Sequence, residues 1–85
     1  MAEAKITVYG ADWCPDCRRS KKFLLDNAIP FTWLDTDADK DAEEFVKQKN
    51  NGKRIIPTIM FEDGSFLVEP SNAALAEKLG LQIQA

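Results

Sequence analysis

Two cysteines separated by two residues lie directly after an apolar stretch, and this arrangement constrains the fold of the chain more than any other feature. Cys14-Pro15-Asp16-Cys17 follows Lys5-Ile6-Thr7-Val8-Tyr9, which is rich in β-branched and aromatic residues and is typical of a β-strand. Pro15 suits the first turn of a helix, because its missing N–H costs nothing there and its φ angle is already helical. The sequence therefore predicts a strand, a turn through Gly10-Ala11-Asp12, and a helix that begins at the cysteines.

The spacing of the two thiols suits reversible chemistry. Residues i and i+3 are neighbours on a helical turn, so Cys14 and Cys17 can close a disulfide with little backbone movement. The closed loop is short, so its entropic stabilisation of the fold is small and the bond is easily reversed. The helix N-terminus favours the thiolate form of Cys14, and Asp16 opposes it. Four cations of the same helix act with the helix terminus: Arg18, Arg19, Lys21 and Lys22. We expect Cys14 to be the nucleophile and Cys17 the resolving thiol.

A structural role for the cysteines is the less favoured interpretation. A structural zinc ion normally takes four ligands, and this chain has two cysteines and no histidine. A closed zinc site within one chain is therefore excluded, and we expect no metal. A C-x-x-C sequence beside a strand–helix pattern favours thioredoxin-like redox chemistry instead.

Length and composition indicate one globular domain over residues 1–85. The hydrophobic share of 45% and the charged share of 29% are ordinary for such a domain. Residues 1–5 lack the apolar region of a secretory signal, and no apolar run approaches the length of a membrane span. With two thiols placed for exchange, we expect a cytoplasmic protein. The net charge of −3 does not favour binding to nucleic acid or to anionic membranes, so we expect neither as a partner. We also expect the protein to be a monomer.

The charged residues are segregated along the chain. Cations gather at Arg18 to Lys22 and at Lys53-Arg54. An acidic segment separates them and contains Asp35, Asp37, Asp39, Asp41, Glu43 and Glu44. If the two basic clusters meet in the fold, the thiol site faces anionic substrates; otherwise both clusters are solvated surfaces.

Hydrophobic periodicity and turn residues predict an α/β domain with the order β-α-β-α-β-β-α. The β-α-β unit predicts parallel first and second strands, whereas Asp63-Gly64 predicts an antiparallel hairpin. We expect the second strand to be buried on both faces because it is mostly apolar. The expected elements after the first strand are a helix over 14–27, a strand over 31–35, a helix from 36–39 to about 50, strands over 58–61 and 65–68, and a helix that begins at Ser71 and ends at Gly80.

Three segments, in this order, resemble the glutaredoxin family of the thioredoxin-like superfamily: Trp13-Cys14-Pro15-Asp16-Cys17, Ile55-Ile56-Pro57-Thr58, and the stretch from Asp63 to Ser71. The resemblance implies a thioredoxin-like fold, in which a four-stranded mixed sheet has helices on both faces. It also implies a cis Ile56–Pro57 bond opposite the cysteines. The backbone of Ile56 would then hold an extended thiol peptide as an added strand.

Two positions differ from glutathione-using members of that family. Those proteins often carry a lysine three positions before the first cysteine, where this chain has Ala11, and a Gly-Gly stretch where it has Leu67-Val68-Glu69-Pro70-Ser71-Asn72. The segment from Asn50 to Thr58, together with Asp63-Gly64-Ser65 and Pro70-Ser71, is more similar to the mycoredoxins. These are small bacterial glutaredoxin-like proteins that use mycothiol, although their usual dipeptide between the cysteines differs from Pro15-Asp16.

The resemblance implies a bacterial thiol–disulfide oxidoreductase that reduces protein disulfides, or mixed disulfides with a low-molecular-weight thiol, through the Cys14–Cys17 dithiol. Glutathione or mycothiol is the expected co-substrate, and no bound cofactor is expected. The partners are disulfide-containing proteins and a thiol or a reductase that donates electrons. The expected substrate-binding residues are Trp13, Lys53, Arg54, Ile56, Pro57, Ser71 and Asn72.

Two other functions remain open at this point. One is a redoxin that is reduced by thioredoxin reductase and donates electrons, for example to ribonucleotide reductase. The other is a glutaredoxin that binds a [2Fe–2S] cluster, in which Cys14 and a small thiol from each of two chains would hold the cluster. Family members with that activity usually lack the second cysteine, so the presence of Cys17 disfavours it.

Overall fold

The computed structural model describes residues 6–81 of the 85-residue chain. Its elements follow the predicted order β-α-β-α-β-β-α, which is thereby confirmed. They are β1 (Thr7–Gly10), α1 (Pro15–Asp26), β2 (Thr32–Asp35), α2 (Lys40–Lys49), β3 (Thr58–Met60), β4 (Phe66–Val68) and α3 (Asn72–Leu79).

Each helix begins at a residue whose side chain accepts a hydrogen bond from the first helical turn. Asp39 caps α2 and Ser71 caps α3, and each accepts the backbone N–H three residues further on at 3.1 Å. Cys14 occupies the same position in α1 and uses its sulfur in place of an oxygen. Gly80 ends α3 with a φ of 71°, a conformation that glycine adopts without the penalty a side chain brings. The helix boundaries therefore follow from local chemistry.

The four strands form one mixed sheet in the order β2-β1-β3-β4. The β1–β2 pair is parallel, because α1 carries the chain back across the sheet between them. The β1–β3 and β3–β4 pairs are antiparallel, and the second of these is the hairpin predicted at Asp63-Gly64. The predicted mixed four-stranded sheet is thus confirmed.

Helices cover both faces of the sheet. Val8 of β1 and Ile59 of β3 are register partners and pack on one face with Leu24 of α1 and Leu75 of α3. Successive side chains of a strand point to opposite faces. The next residue, Tyr9, accordingly stacks on Phe45 of α2, with 4.8 Å between the ring centroids. Helices α1 and α3 therefore lie on one face and α2 on the other, as expected.

The burial predicted for β2 is wrong. Its first residue, Thr32, is exposed, and Trp33, Leu34 and Asp35 are half-buried. Because β2 lies at the edge of the sheet, it has a neighbouring strand on one side only, and an apolar composition does not reveal the strand order. Within residues 6–81, no helix has the length and apolar character needed to cross a membrane.

Candidate active site

Cys14 lies at the junction between the β1 turn and α1. Its backbone is extended, with φ −79° and ψ 117°, and its sulfur accepts the Cys17 backbone N–H at 3.3 Å. The first N–H groups of a helix have no partner within the helix and favour negative charge beside them. The side chain of Cys14 is 6% exposed, so a small part of it reaches the surface. The Cys14 sulfur therefore lies at the N-terminus of α1, in a residue that is not completely covered.

Cys17 has a different environment, although it is one helical turn away. It is fully buried, and this burial is the largest of the effects that raise the pKa of its thiol to about 12. The contact with the Cys14 sulfur and the charge of Asp16 act in the same direction, while a hydrogen bond with the Ala11 backbone opposes them. Both cysteines are free thiols in this structure, and Cys17 keeps its proton at neutral pH.

Gly10 makes room for the Cys17 sulfur at the end of β1. A Cβ atom built on Gly10 would lie 2.6 Å from Cys17 Sγ and 2.8 Å from the Trp33 ring, and both distances are closer than real Cβ contacts. Gly10 was predicted to begin a turn, and this is wrong, because it pairs with Asp35 as the last residue of β1. The lack of a side chain at Gly10 allows the Cys17 sulfur and the Trp33 ring to pack against the end of β1.

The Ile56–Pro57 peptide bond is cis, as the resemblance implies. Ile56 is 8% exposed and belongs to one buried cluster with Cys14 and Cys17. Pro57 is also buried, and its carbonyl accepts the backbone N–H of Glu69 at 2.8 Å. The fold thus brings Ile56, the residue before the cis proline, together with the two cysteines.

Trp13 and Arg54 both contact Asp37, which lies between β2 and α2. The Trp13 ring is 60% exposed, and its indole Nε1 donates a hydrogen bond to Asp37 Oδ2 at 2.7 Å. Arg54 forms an ion pair with Asp37 and another with Glu43, with 3.3 Å between Nε and Oε2. Its Nη2 also donates to Thr36 Oγ1 at 3.1 Å. The guanidinium carbon lies 6.0 Å from the centre of the Trp13 ring, so two of the predicted binding residues are neighbours.

Ser71 and Asn72 lie at the start of α3. Ser71 is the N-cap, and among residues 6–81 the buried Oδ1 of Asn72 has no hydrogen-bond partner. Arg19 connects the start of α3 with the first turn of α1. Its Nη2 donates to the Pro70 carbonyl at 3.2 Å, and its Nη1 lies 3.1 Å from Asp16 Oδ1. The start of α3 is therefore held beside the helix that carries the cysteines.

The two basic clusters, Arg18 to Lys22 and Lys53-Arg54, contact different residues. On α1, Lys21 lies over the Trp33 ring at 4.1 Å and Lys22 pairs with Asp26 at 2.8 Å. Arg54 forms ion pairs with Asp37 and Glu43, whereas Lys53 is exposed and forms no ion pair in the described part of the chain. None of these contacts joins the clusters.

Asp37, Glu43 and Thr36 are site residues that the sequence did not single out. Asp37 and Glu43 were named only as members of an acidic segment, and Thr36 only as part of the range 36–39 in which the second helix was expected to begin. The Trp13–Asp37 hydrogen bond spans 24 positions of the chain, so no local pattern could reveal it. In the described range 6–81, no group of three or more His, Cys, Asp or Glu side chains could hold a metal ion.

The arrangement of Cys14, Cys17 and the cis proline can be compared with known proteins. The family model named Glutaredoxin matches residues 6–67. The chain belongs to the glutaredoxin family. This glutaredoxin is 37% identical to mycoredoxin 1 of Corynebacterium glutamicum over 76 residues, which cover 89% of the chain and 94% of the relative. It is 39% identical to a protein of Mycobacterium tuberculosis that is named as a glutaredoxin, over 79 residues covering 93% and 94% of the two chains.

Solved structures agree with this assignment. The glutaredoxin of Methanosarcina mazei Go1 superimposes with a TM-score of 0.77 and 26% identity, covering 92% of this chain and 80% of that one. Family and fold together identify a glutaredoxin-type thiol–disulfide oxidoreductase with a thioredoxin-like fold.

Proposed function

We propose that this glutaredoxin reduces mixed disulfides between proteins and a low-molecular-weight thiol, and also protein disulfides, with Cys14 as the nucleophile and Cys17 as the resolving thiol. The difference between the two sulfurs carries the proposal. Cys14 Sγ accepts a helix N–H and the residue is 6% exposed, whereas Cys17 is fully buried and the pKa of its thiol is raised to about 12. Thiolates attack disulfides and thiols do not, so the first attack belongs to Cys14.

In the first step the Cys14 thiolate attacks one sulfur of the substrate disulfide. A new S–S bond joins Cys14 to that half of the substrate, and the other half leaves as a thiolate that takes up a proton. A second small thiol can then attack the adduct and restore Cys14. Alternatively, Cys17 loses its proton and attacks the Cys14 sulfur, which releases the bound thiol and leaves a Cys14–Cys17 disulfide. Two electrons from an external thiol or reductase then reduce this disulfide.

The predicted binding residues have roles in this proposal. The backbone of Ile56 and the ring of Pro57 hold the extended segment that carries the substrate sulfur. Trp13 forms one wall beside Cys14. Lys53 and Arg54, with Ser71 and Asn72 at the start of α3, bind the polar end of the small thiol. The Arg19 contacts that hold α3 beside α1 support this placement.

Mycothiol is the small thiol that we propose first, and glutathione is the alternative. The similarity to mycoredoxin 1 supports mycothiol. We also propose a monomer in the bacterial cytoplasm, with no nucleic acid or membrane as a partner. The relatives from bacteria support the bacterial origin. A parallel assay of NADPH consumption, with mycothiol, glutathione or thioredoxin reductase supplying electrons to one mixed disulfide, identifies the reductant. Activity with thioredoxin reductase alone would reject the small-thiol co-substrate and favour a thioredoxin-like carrier.

The division of roles is tested with two single substitutions. Cys14→Ser should abolish all exchange, because no thiolate remains at the helix start. Cys17→Ser should keep activity on mixed disulfides with the small thiol and lose turnover on protein disulfides, which need the resolving thiol. Both substrates are assayed with both variants. Equal losses in the two variants would contradict the proposed roles.

A further inference from the structure

Trp13 combines high exposure with a fixed orientation. Its ring is 60% exposed and directly precedes Cys14, yet the indole N–H, its one polar side-chain group, donates a 2.7 Å hydrogen bond to Asp37. A carboxylate acceptor makes this bond stronger than one between neutral groups. An exposed aromatic ring is thus held in one place at the residue that precedes Cys14.

Asp37, which accepts this hydrogen bond, is itself held in place by Arg54. Arg54 pairs with Asp37 and donates to Thr36, which is 2% exposed. The Thr36 backbone N–H and hydroxyl both donate to the Gly10 carbonyl, at 2.8 Å and 3.2 Å. A continuous set of polar contacts therefore connects Trp13 with the end of the central strand β1, and Asp37 is the link that touches the indole.

We propose that Asp37 is a positioning residue that orients the Trp13 ring as a substrate-contacting wall beside Cys14. This inference rests on the proposed function, because the ring is taken to contact the peptide that carries the substrate disulfide. Asp37 acts through Trp13 and touches no reacting atom. The groups that contact Asp37 are the Trp13 indole, the Arg54 guanidinium and the Asp35 carboxylate, which accepts the Asp37 backbone N–H.

The hydrogen bond from Trp13 to Asp37 is expected to favour substrate binding because it orders the Trp13 ring before the substrate binds. A free surface tryptophan loses rotamer freedom when a ligand packs on it, and that loss weakens binding. A ring that is already fixed avoids this loss, so the hydrogen bond improves substrate affinity more than the chemical step. Loss of the acceptor should therefore raise KM and leave kcat nearly unchanged.

The test uses the full chain and a peptide mixed disulfide as substrate. Asp37→Ala should lower kcat/KM by about fivefold to tenfold, the effect of one typical hydrogen bond, mainly through KM. Asp37→Asn keeps an oxygen acceptor and should recover most of the loss. The control Asp41→Ala removes the same charge from an exposed position of α2 and should leave kcat/KM unchanged.

A double-mutant cycle separates positioning from other effects. Trp13→Phe keeps an aromatic ring and removes the N–H, so it should cost about as much as Asp37→Ala. Adding Asp37→Ala to Trp13→Phe should then have no further effect. A full additional loss in the double variant, or an undiminished kcat/KM for Trp13→Phe, overturns the inference.

Two further measurements exclude a purely electrostatic or structural role. Alkylation of Cys14 by iodoacetamide, a small neutral reagent, should proceed at the same rate in wild type and Asp37→Ala. A faster rate in Asp37→Ala would mean that Asp37 acts on the Cys14 thiolate through its charge, and would reject the inference.

The Trp13 indole N–H resonance should shift in Asp37→Ala and stay close to its wild-type position in Asp37→Asn. A resonance that does not move in Asp37→Ala would refute the hydrogen bond. This readout needs no turnover, so it separates failure of the inference from failure of the proposed function.

Discussion

At the scale of single residues, two identical side chains acquire different chemistry from their surroundings. Cys14 accepts a helix N–H, while Cys17 is buried one turn further along α1. The sequence predicted this asymmetry, because both positions follow from where the helix begins. Asp37 was not predicted, since its contact with Trp13 depends on how two loops meet across 24 positions. Local rules therefore placed both cysteines at the start of α1 and missed the contact between Asp37 and Trp13.

The raised pKa of Cys17 predicts how its reactivity depends on pH. In a Cys14→Ser variant the contact with the Cys14 sulfur is gone, but burial, the largest cause of the shift, remains. Only the thiolate reacts with iodoacetamide, and a raised pKa delays its formation as pH increases. We expect slow alkylation at neutral pH and a rise only well above the pH of about 8.5 at which a free cysteine ionises. Alkylation rates of the folded variant across this range test the prediction; a midpoint near that of free cysteine would contradict it.

At the scale of elements, the features set by neighbouring residues were predicted well. The caps at Asp39 and Ser71 and the Asp63-Gly64 hairpin each depend on a few adjacent positions. The burial of β2 and the role of Gly10 were not predicted correctly. Both depend on strand order and on the approach of α1 to β1, which come from the packing of distant segments.

The close contact between β1 and α1 predicts that Gly10→Ala is destabilising. The added methyl group would lie 2.6 Å from Cys17 Sγ, so the sulfur or the strand must move. We expect a loss of about 1–3 kcal/mol in the free energy of unfolding, measured with urea. Because Cys17 is displaced, activity on protein disulfides should fall more than activity on mixed disulfides with the small thiol. In a Cys17→Ala background the substitution should cost less; an equal cost would mean that the sulfur is not the obstacle.

At the scale of the whole molecule, the buried residues form two clusters with different roles. One contains Val8, Leu24, Ile59 and Leu75 and joins the sheet to α1 and α3. The other contains both cysteines together with Ala11, Val46 and Ile56. The two cysteines are thus part of the core, and the packing of α2 through Val46 contributes to the burial that raises the pKa of Cys17.

Because the two clusters are separate, we expect the same loss of side-chain volume in each cluster to change the reactivity of the Cys17 thiol differently. Val8→Ala and Val46→Ala each remove two methyl groups' worth of packing from a fully buried side chain and should each cost about 2 kcal/mol of unfolding free energy. In the Cys14→Ser background, Val46→Ala should also speed alkylation of Cys17, because the space it opens lies in the cluster that buries this sulfur. Val8→Ala serves as the matched control and should leave the alkylation rate unchanged. Faster alkylation in both variants, in proportion to their lost stability, would mean that Cys17 reacts through global unfolding and that the two clusters do not act separately.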